Sequence, residues 1–126
     1  ARLTGLRVDD ILQDPISVAR QFSEKQDVYV VLKSATTVFA TPKGEIYLST
    51  YGNPGMATAG VGDVLSGIIG GFLAQGYEVE KAVMLALAVH GIAGDIAKNR
   101  GGEAALVATD ILSCIAEVIK KWEVMV

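Results

Sequence analysis

The spacing of hydrophobic positions changes several times along this chain, and each change marks an expected element. In residues 1–27 apolar side chains recur at helical intervals with a break at Asp14-Pro15, which predicts a short helix through Leu12 and a second helix from Pro15. Proline suits the first turn of a helix because its missing N–H would have no intrahelical acceptor there. One stripe of the second helix is expected to face the core: Ile16, Ala19, Phe22 and Ser23.

The middle of the chain has the pattern of β-structure. The continuous apolar run Val28–Leu32 predicts a central strand that is buried on both faces. Thr36–Ala40 and Glu45–Ser49 predict two further strands, joined by the turn residues Thr41-Pro42-Lys43-Gly44. We therefore expect one buried strand followed by a β-hairpin.

The remainder of the chain is helical and strongly apolar. Asp63–Ala74 has helical periodicity although three glycines interrupt it: Gly67, Gly70 and Gly71. Each glycine costs about 1 kcal/mol relative to alanine in a helix, so we expect them to permit close helix packing or close backbone approach to a ligand. Glu78–Lys98 is apolar nearly all round, which is typical of a central helix. Thr109 is expected to cap a last helix whose apolar stripe ends at Trp122.

Composition and charge argue against a nucleic-acid-binding protein and against a membrane-spanning one. Hydrophobic residues make up 51% of the 126 residues and the mean hydropathy is +0.40, which fits either an unusually buried fold or a part of a larger protein. The net charge is −3 with scattered Lys and Arg, so we expect no nucleic-acid partner. The single cysteine, Cys114, indicates core packing and a reducing, cytoplasmic compartment. We expect no signal peptide, and the charges within residues 79–97 argue against a membrane span.

The segment Gly52–Asp63 is the candidate site. Glycines near a helix start let backbone amides approach a ligand closely, and the helix N-terminus adds unpaired N–H groups and a partial positive charge. Together they predict an anion cradle suited to phosphate, formed by Ala59, Gly60, Val61 and Gly62. Asp63 either accepts a proton from an attacking hydroxyl or simply caps the helix. The pattern is neither a P-loop nor the dinucleotide-binding fingerprint.

Four segments resemble the ADP-dependent NAD(P)H-hydrate dehydratases of the ribokinase superfamily: NPGMATAGVGDVLSGIIGGFLAQG, VVLKSATTV, ARLTGL and HGIAGDIA. The Gly-x-Gly-Asp core is shared across that superfamily, whereas the Asn-Pro-Gly-Met-Ala-Thr lead-in is much more specific. The resemblance covers essentially all of residues 1–126, which look like the C-terminal, nucleotide-binding portion of the family's domain. It implies an α/β fold with three layers, in which helices cover both faces of a mainly parallel sheet.

The same resemblance implies a chemistry. Enzymes of this family repair hydrated NADH and NADPH: ADP, or ATP in some members, phosphorylates the added hydroxyl, and loss of phosphate restores the nicotinamide ring. Magnesium is expected with the nucleotide phosphates, although no motif identifies protein ligands for it. Exposed former interior surface would favour a homo-oligomer.

Roles for individual residues also follow from the resemblance. Asp63 would be the base at the substrate hydroxyl, and Gly62 would offer its amide to the nucleotide phosphates. The adenine nucleotide would be contacted by Lys33, Ser34, Ala35, Thr36 and Thr37. The sequence departs from the family at two positions, since Ser34 replaces a usual glycine and Val61 replaces a frequent small hydroxyl residue.

Three further polar residues, His90, Asn53 and Asp95, also have expected roles, and two rival functions are left open. His90 is expected to be a packed, hydrogen-bonded core histidine. Asn53 either fixes its loop through side-chain-to-backbone bonds, which we favour, or contacts substrate. Asp95 either joins a buried polar pair or faces solvent. One rival function is a ribokinase-like kinase for a vitamin precursor or a sugar. The other is a nucleotide-binding or purely structural module without activity.

Overall fold

The computed structural model describes residues 1–125, and the side chains of residues 1–123. The chain divides into two compact units, Ala1–Thr50 and Tyr51–Val126. The first contains two helices and a small sheet, and the second contains three longer helices. Within residues 1–125, no helix combines the length and the apolar character needed to cross a membrane.

The first unit begins with helices α1 (Val8–Gln13) and α2 (Pro15–Gln26). Helix α2 starts at Pro15, as the sequence predicts. The Asp14 carboxylate accepts a hydrogen bond from the Ser17 N–H at 3.1 Å and so caps the helix. Hydrogen bonding from Ser17 holds the pKa of Asp14 below its ordinary value.

The sheet of the first unit has three strands, β1 (Val30–Leu32), β2 (Thr37–Ala40) and β3 (Ile46–Ser49), in the order β1-β2-β3. Both pairings are antiparallel, so the predicted hairpin is confirmed. The mainly parallel pairing implied by the resemblance does not occur among the described strands. Helix α2 packs on this sheet through the buried Ala19, which lies in one apolar cluster with Val38.

Strand β1 differs from its prediction. It is shorter than expected, its three residues are only half-buried, and the preceding Val28 and Tyr29 are 40% and 41% exposed. The expectation of a strand buried on both faces is therefore wrong for the described structure, because β1 is an edge strand of this sheet. The buried strand is β2, in which Val38, Phe39 and Ala40 are at most 1% exposed.

The second unit packs three helices, α3 (Val61–Ala74), α4 (Val79–Gly101) and α5 (Ala108–Met125), around one apolar core. Helix α4 is buried on several faces, with adjacent buried pairs such as Ala82 and Val83 or Val89 and His90, which confirms the predicted central helix. Cys114 is 2% exposed within this core, as expected of a packing thiol. The half-buried Trp122 packs against the same core.

One prediction about the helices is wrong, and of the two uses expected for Gly67, Gly70 and Gly71 only close helix packing is contradicted. Thr109 does not cap α5, because the helix has already begun at Ala108 and the Asp110 carboxylate instead accepts a hydrogen bond from the Val107 N–H at 3.0 Å. The glycines of α3 do not serve close helix packing among the described residues. A Cβ would meet nothing within 4 Å at any of the three, Gly67, Gly70 and Gly71.

Candidate functional site

The glycine-rich turn enters α3 two residues earlier than the sequence predicted. Gly60 is the N-cap with φ +83°, and Val61 is the first helical residue. A positive φ favours glycine, and a Cβ at this position would also lie 3.1 Å from the Cβ of Ala108. Glycine is therefore required at position 60 for the chain to turn into the helix.

The first turn of α3 contains an unsatisfied backbone donor. The carbonyl oxygen of Gly60 accepts hydrogen bonds from the N–H groups of Asp63 and Val64, each at 3.1 Å. The Gly62 N–H has no hydrogen-bond partner among the described residues. An unpaired N–H at the positive end of a 14-residue helix fits an anionic oxygen.

Val61 contributes to this turn differently from its neighbours. Its side chain is 1% exposed and belongs to the core of the second unit. Its N–H lies 3.4 Å from the Thr58 carbonyl oxygen, a long hydrogen bond. Only the backbone of Val61 could therefore take part in an anion cradle, whereas Ala59 and Gly60 are exposed.

Asp63 lies on the exposed side of the same turn. It is the third residue of α3, the N-cap is Gly60, and no side chain makes a capping hydrogen bond at this helix start. The structure thus gives no support to the interpretation of Asp63 as a helix cap.

The loop before α3 is fixed by a polar pair with α4. The Asn53 side-chain amide donates to Asp95 Oδ1 at 2.8 Å, and Asn53 Oδ1 accepts from the Gly55 N–H at 3.1 Å. Asn53 thereby caps the short 3-10 turn Pro54–Met56. The loop role predicted for Asn53 is confirmed, and Asp95 is part of a half-buried pair.

Two glycines of α4 allow this loop to lie directly on the helix. A Cβ at Gly91 would lie 2.3 Å from the Cβ of Tyr51, and a Cβ at Gly94 would lie 2.3 Å from the Sδ of Met56. This contact surface was not predicted from the sequence. Their three-residue spacing on one helix face was the available signal, but the contacting residues lie about forty positions away in the chain.

A second contact closes the loop from the other side. A Cβ at Gly55 would lie 2.6 Å from the backbone oxygen of Glu103, in the connection between α4 and α5. The Glu103 carboxylate pairs with Lys98 at 2.6 Å and holds the pKa of the Lys98 ammonium above its ordinary value. The loop is thus enclosed between α4 and this connection.

His90 joins α4 to the start of α3. It is 5% exposed, and its Nε2 lies 3.0 Å from the backbone oxygen of Val61. The predicted core histidine with a hydrogen bond is confirmed.

The predicted nucleotide segment lies in the first unit, in the connection from β1 to β2. Lys33, Ser34 and Ala35 are exposed, and Thr36 and Thr37 are half-buried. The Ser34 hydroxyl donates to the Thr36 backbone oxygen at 2.6 Å. Ser34 does not have a positive φ, so a side chain is accommodated here without the backbone conformation that would require glycine.

The described residues contain no group of three or more His, Cys, Asp or Glu side chains that could hold a metal ion. The side chains near the cradle therefore do not form a metal site by themselves. Magnesium commonly keeps several waters and binds through one or two carboxylates plus substrate phosphates.

Comparison with known sequences identifies the relatives of this chain. The sequence pattern of the NAD(P)H-hydrate dehydratase family matches residues 1–117. The bifunctional NAD(P)H-hydrate repair enzyme of Moorella thermoacetica is 41% identical over 123 residues, which are 98% of this chain and 23% of that protein. The ADP-dependent (S)-NAD(P)H-hydrate dehydratase of Neisseria meningitidis is 44% identical over 105 residues, or 83% of this chain and 36% of that enzyme.

Solved structures similar to this chain include an enzyme of the same family. The ADP/ATP-dependent NAD(P)H-hydrate dehydratase of Bacillus subtilis, co-crystallised with ATP and Mg²⁺, superposes with a TM-score of 0.91 at 28% identity. The match covers 95% of this chain and 43% of that one, so this chain spans less than half the length of these relatives. The ribokinase-like α/β fold predicted from the sequence is confirmed. The chain belongs to the NAD(P)H-hydrate dehydratase family.

Proposed function

We propose that this chain supplies the nucleotide-binding and phosphoryl-transferring part of an ADP-dependent NAD(P)H-hydrate dehydratase. The observation that carries the proposal is the first turn of α3, where a free N–H at Gly62 lies next to the exposed carboxylate of Asp63. The activities named for the relatives support the choice of reaction, and the relatives are more than twice as long as the matched region.

In this proposal Asp63 accepts the proton of the hydroxyl that was added to the nicotinamide ring. The hydroxyl oxygen forms a bond to the terminal phosphorus of ADP, and the bond from that phosphorus to the bridging oxygen breaks, which releases AMP. The C–O bond of the phosphorylated hydrate then breaks, phosphate leaves, and loss of a ring proton restores the double bond. With ATP as donor, ADP is released instead.

The Gly62 N–H, at the positive end of α3, would stabilise the negative charge that builds on the transferring phosphoryl group. Such electrostatic stabilisation is the larger part of catalysis in phosphoryl transfer. Gly60 and Ala59 would leave room for the phosphate because neither carries a bulky side chain, and Val61 would contribute only its backbone. Magnesium bound to the nucleotide would neutralise part of the same charge.

The adenine nucleotide would be contacted by the segment Lys33–Thr37. Its exposed side chains and backbone support this role, as does the turn that Ser34 closes onto Thr36. Lys33 supplies a positive charge that suits a nucleotide phosphate. We further propose a cytoplasmic location, since the free thiol of Cys114 suits a reducing compartment.

Self-association is also part of the proposal. Several large apolar side chains are more than half exposed: Leu3, Val8, Leu12, Leu48, Tyr51 and Leu112. Covering such surface would stabilise a homo-oligomer, which light scattering of the purified protein would detect.

The test of the proposed reaction uses the full-length protein with hydrated NADH, ADP and magnesium. We expect the absorbance of reduced nicotinamide to return in step with the release of AMP and phosphate. Nucleotide consumption with no recovery of that absorbance would contradict the dehydratase assignment. The control omits ADP and measures the spontaneous reversal of hydration.

The resemblance to ribokinase-like proteins leaves a small-molecule kinase as the second candidate. It predicts a stable phosphorylated product from ATP and a vitamin precursor or sugar, without elimination of phosphate. An inert module predicts no activity at all. Calorimetric titration with ADP and AMP separates an inactive nucleotide-binding module from a purely structural one, because no heat at millimolar nucleotide would contradict nucleotide binding altogether.

A further inference from the structure

The buried histidine of α4 contacts the same peptide that bears the free donor of the cradle. His90 Nε2 lies 3.0 Å from the backbone oxygen of Val61, across 29 positions of sequence. A carbonyl oxygen can only accept a hydrogen bond, so Nε2 carries a proton and donates it. Because His90 is 5% exposed, this hydrogen bond lies away from solvent.

The acceptor of this bond is chemically tied to the cradle. The carbonyl of Val61 and the N–H of Gly62 belong to one peptide group, which is planar and places them on opposite sides of the C–N bond. Whatever fixes the direction of the Val61 carbonyl therefore fixes the direction of the Gly62 N–H. Hydrogen bonds in such a chain also polarise one another, so a bond accepted by the carbonyl strengthens the N–H as a donor.

We infer that His90 is a positioning residue for phosphate recognition, acting through the Val61–Gly62 peptide. Val61 is the first residue of α3, so the helix already directs its carbonyl along the helix axis. His90 Nε2–H gives that carbonyl a further donor, which holds the peptide in place and makes the Gly62 N–H a stronger donor. The inference rests on the proposed function only in that the anion is taken to be a nucleotide phosphate. A histidine that merely fills the core would affect stability but not phosphate recognition in particular.

The test uses two amide variants of the full-length protein that differ by one methylene. In His90→Gln the side-chain amide nitrogen can take the place of imidazole Nε2, whereas in His90→Asn the amide is too short to reach the Val61 oxygen. Both variants lose the ring, so they form a matched pair for packing. The readout is the affinity for ADP divided by that for AMP, measured by calorimetry, because only ADP presents the additional phosphate.

In His90→Asn we expect this ratio to fall about five- to tenfold, as the loss of one well-placed hydrogen bond predicts. In His90→Gln the ratio is expected to stay within about twofold of the original, and AMP affinity should be unchanged in both. An unchanged ratio in His90→Asn would overturn the inference. The inference would also be overturned if each variant lost affinity for ADP and for AMP by the same factor.

A measurement on the unmodified protein covers the case in which His90→Asn does not fold. The imidazole nitrogen spectrum of ¹⁵N-labelled protein reports which ring nitrogen of His90 is protonated, and we expect a protonated Nε2. A neutral ring protonated only at Nδ1 would overturn the inference, since it has no donor for Val61.

The inference and the proposed function fail in different ways. A protein that prefers ADP to AMP but does not convert hydrated NADH to NADH contradicts the dehydratase assignment. The ratio of ADP to AMP affinity in the His90 variants still tests the inference in that case. A protein that prefers ADP and restores hydrated NADH, but keeps the same ADP preference in His90→Asn, contradicts the His90 inference alone.

Discussion

Glycines occur in both helices that carry the site, and their surroundings are opposite. On α4, Gly91 and Gly94 lie against the loop that precedes α3, with Tyr51 and Met56 directly above them. On α3, Gly67, Gly70 and Gly71 face open space within the described structure. Gly91 and Gly94 are thus explained by packing within this chain, whereas Gly67, Gly70 and Gly71 are not.

The hydrogen bonds of the two regions also differ, because they are long-range in one region and local in the other. The loop and the first turn of α3 are fixed by hydrogen bonds that span the sequence, from Asn53 to Asp95 and from His90 to Val61. The Ser34 hydroxyl, in the proposed nucleotide segment, bonds to Thr36, two residues away. A site whose geometry comes from distant contacts is sensitive to substitutions far from the ligand, and this is what the following predictions test.

Gly91→Ala is expected to have the largest effect on stability. The added Cβ would meet both the Cβ and the backbone carbonyl carbon of Tyr51, at 2.3 and 2.8 Å, so the loop must move away from α4. We expect a loss of about 3 kcal/mol in the free energy of unfolding, measured with denaturant. Gly94→Ala is the matched control, with a loss of about 1 kcal/mol, because the flexible side chain of Met56 can move aside. Equal stability of Gly91→Ala and the original protein would contradict the packing of the loop on α4.

Asn53→Ala is expected to have the next largest effect. It removes the donor to Asp95 and the acceptor of the Gly55 N–H, and leaves a half-buried carboxylate without this partner. We expect a loss of about 2 kcal/mol in the free energy of unfolding. The double variant Asn53→Ala/Asp95→Ala should lose less unfolding free energy than the sum of the losses in the two single variants. Simple additivity would show that the two side chains are not coupled.

Gly70→Ala is expected to have the smallest effect and the opposite sign. Alanine is the better helix former and its Cβ meets no atom within 4 Å, so α3 should gain about 1 kcal/mol of stability in the 126-residue chain. Thermal unfolding would measure the gain. A clear loss would show that another surface, from a second copy of the chain or from further polypeptide, packs closely on this face of α3.

The elements of the fold were largely predictable because local patterns determine them. The Asp14-Pro15 start of α2, the hairpin and the apolar α4 all have strong local signals. The start of α3 was misplaced because its N-cap, Gly60, has no side chain to mark it, so the polar Asp63 looked like the boundary. Strand β1 was misjudged because an apolar run does not show whether its neighbours on both sides are present.

The site was predictable only in part. The candidate anion cradle and the role proposed for Asp63 come from glycine and carboxylate spacing and from the resemblance to a family, and they stay predictions. The pairing of Asn53 with Asp95 could not be predicted, because nothing in the local sequence shows which helix passes beneath a loop. Likewise the sequence places His90 in the core, but only the three-dimensional structure shows that His90 contacts the Val61–Gly62 peptide.

The central claim is that Asp63 acts as the base next to a cradle that binds phosphate. Asp63→Asn keeps the size and the exposed position of the side chain but removes its ability to accept a proton. In the full-length protein we predict that this variant loses at least about a hundredfold in turnover of hydrated NADH, while its affinity for ADP, measured by calorimetry, is retained. Turnover of Asp63→Asn close to that of the original protein would contradict the account.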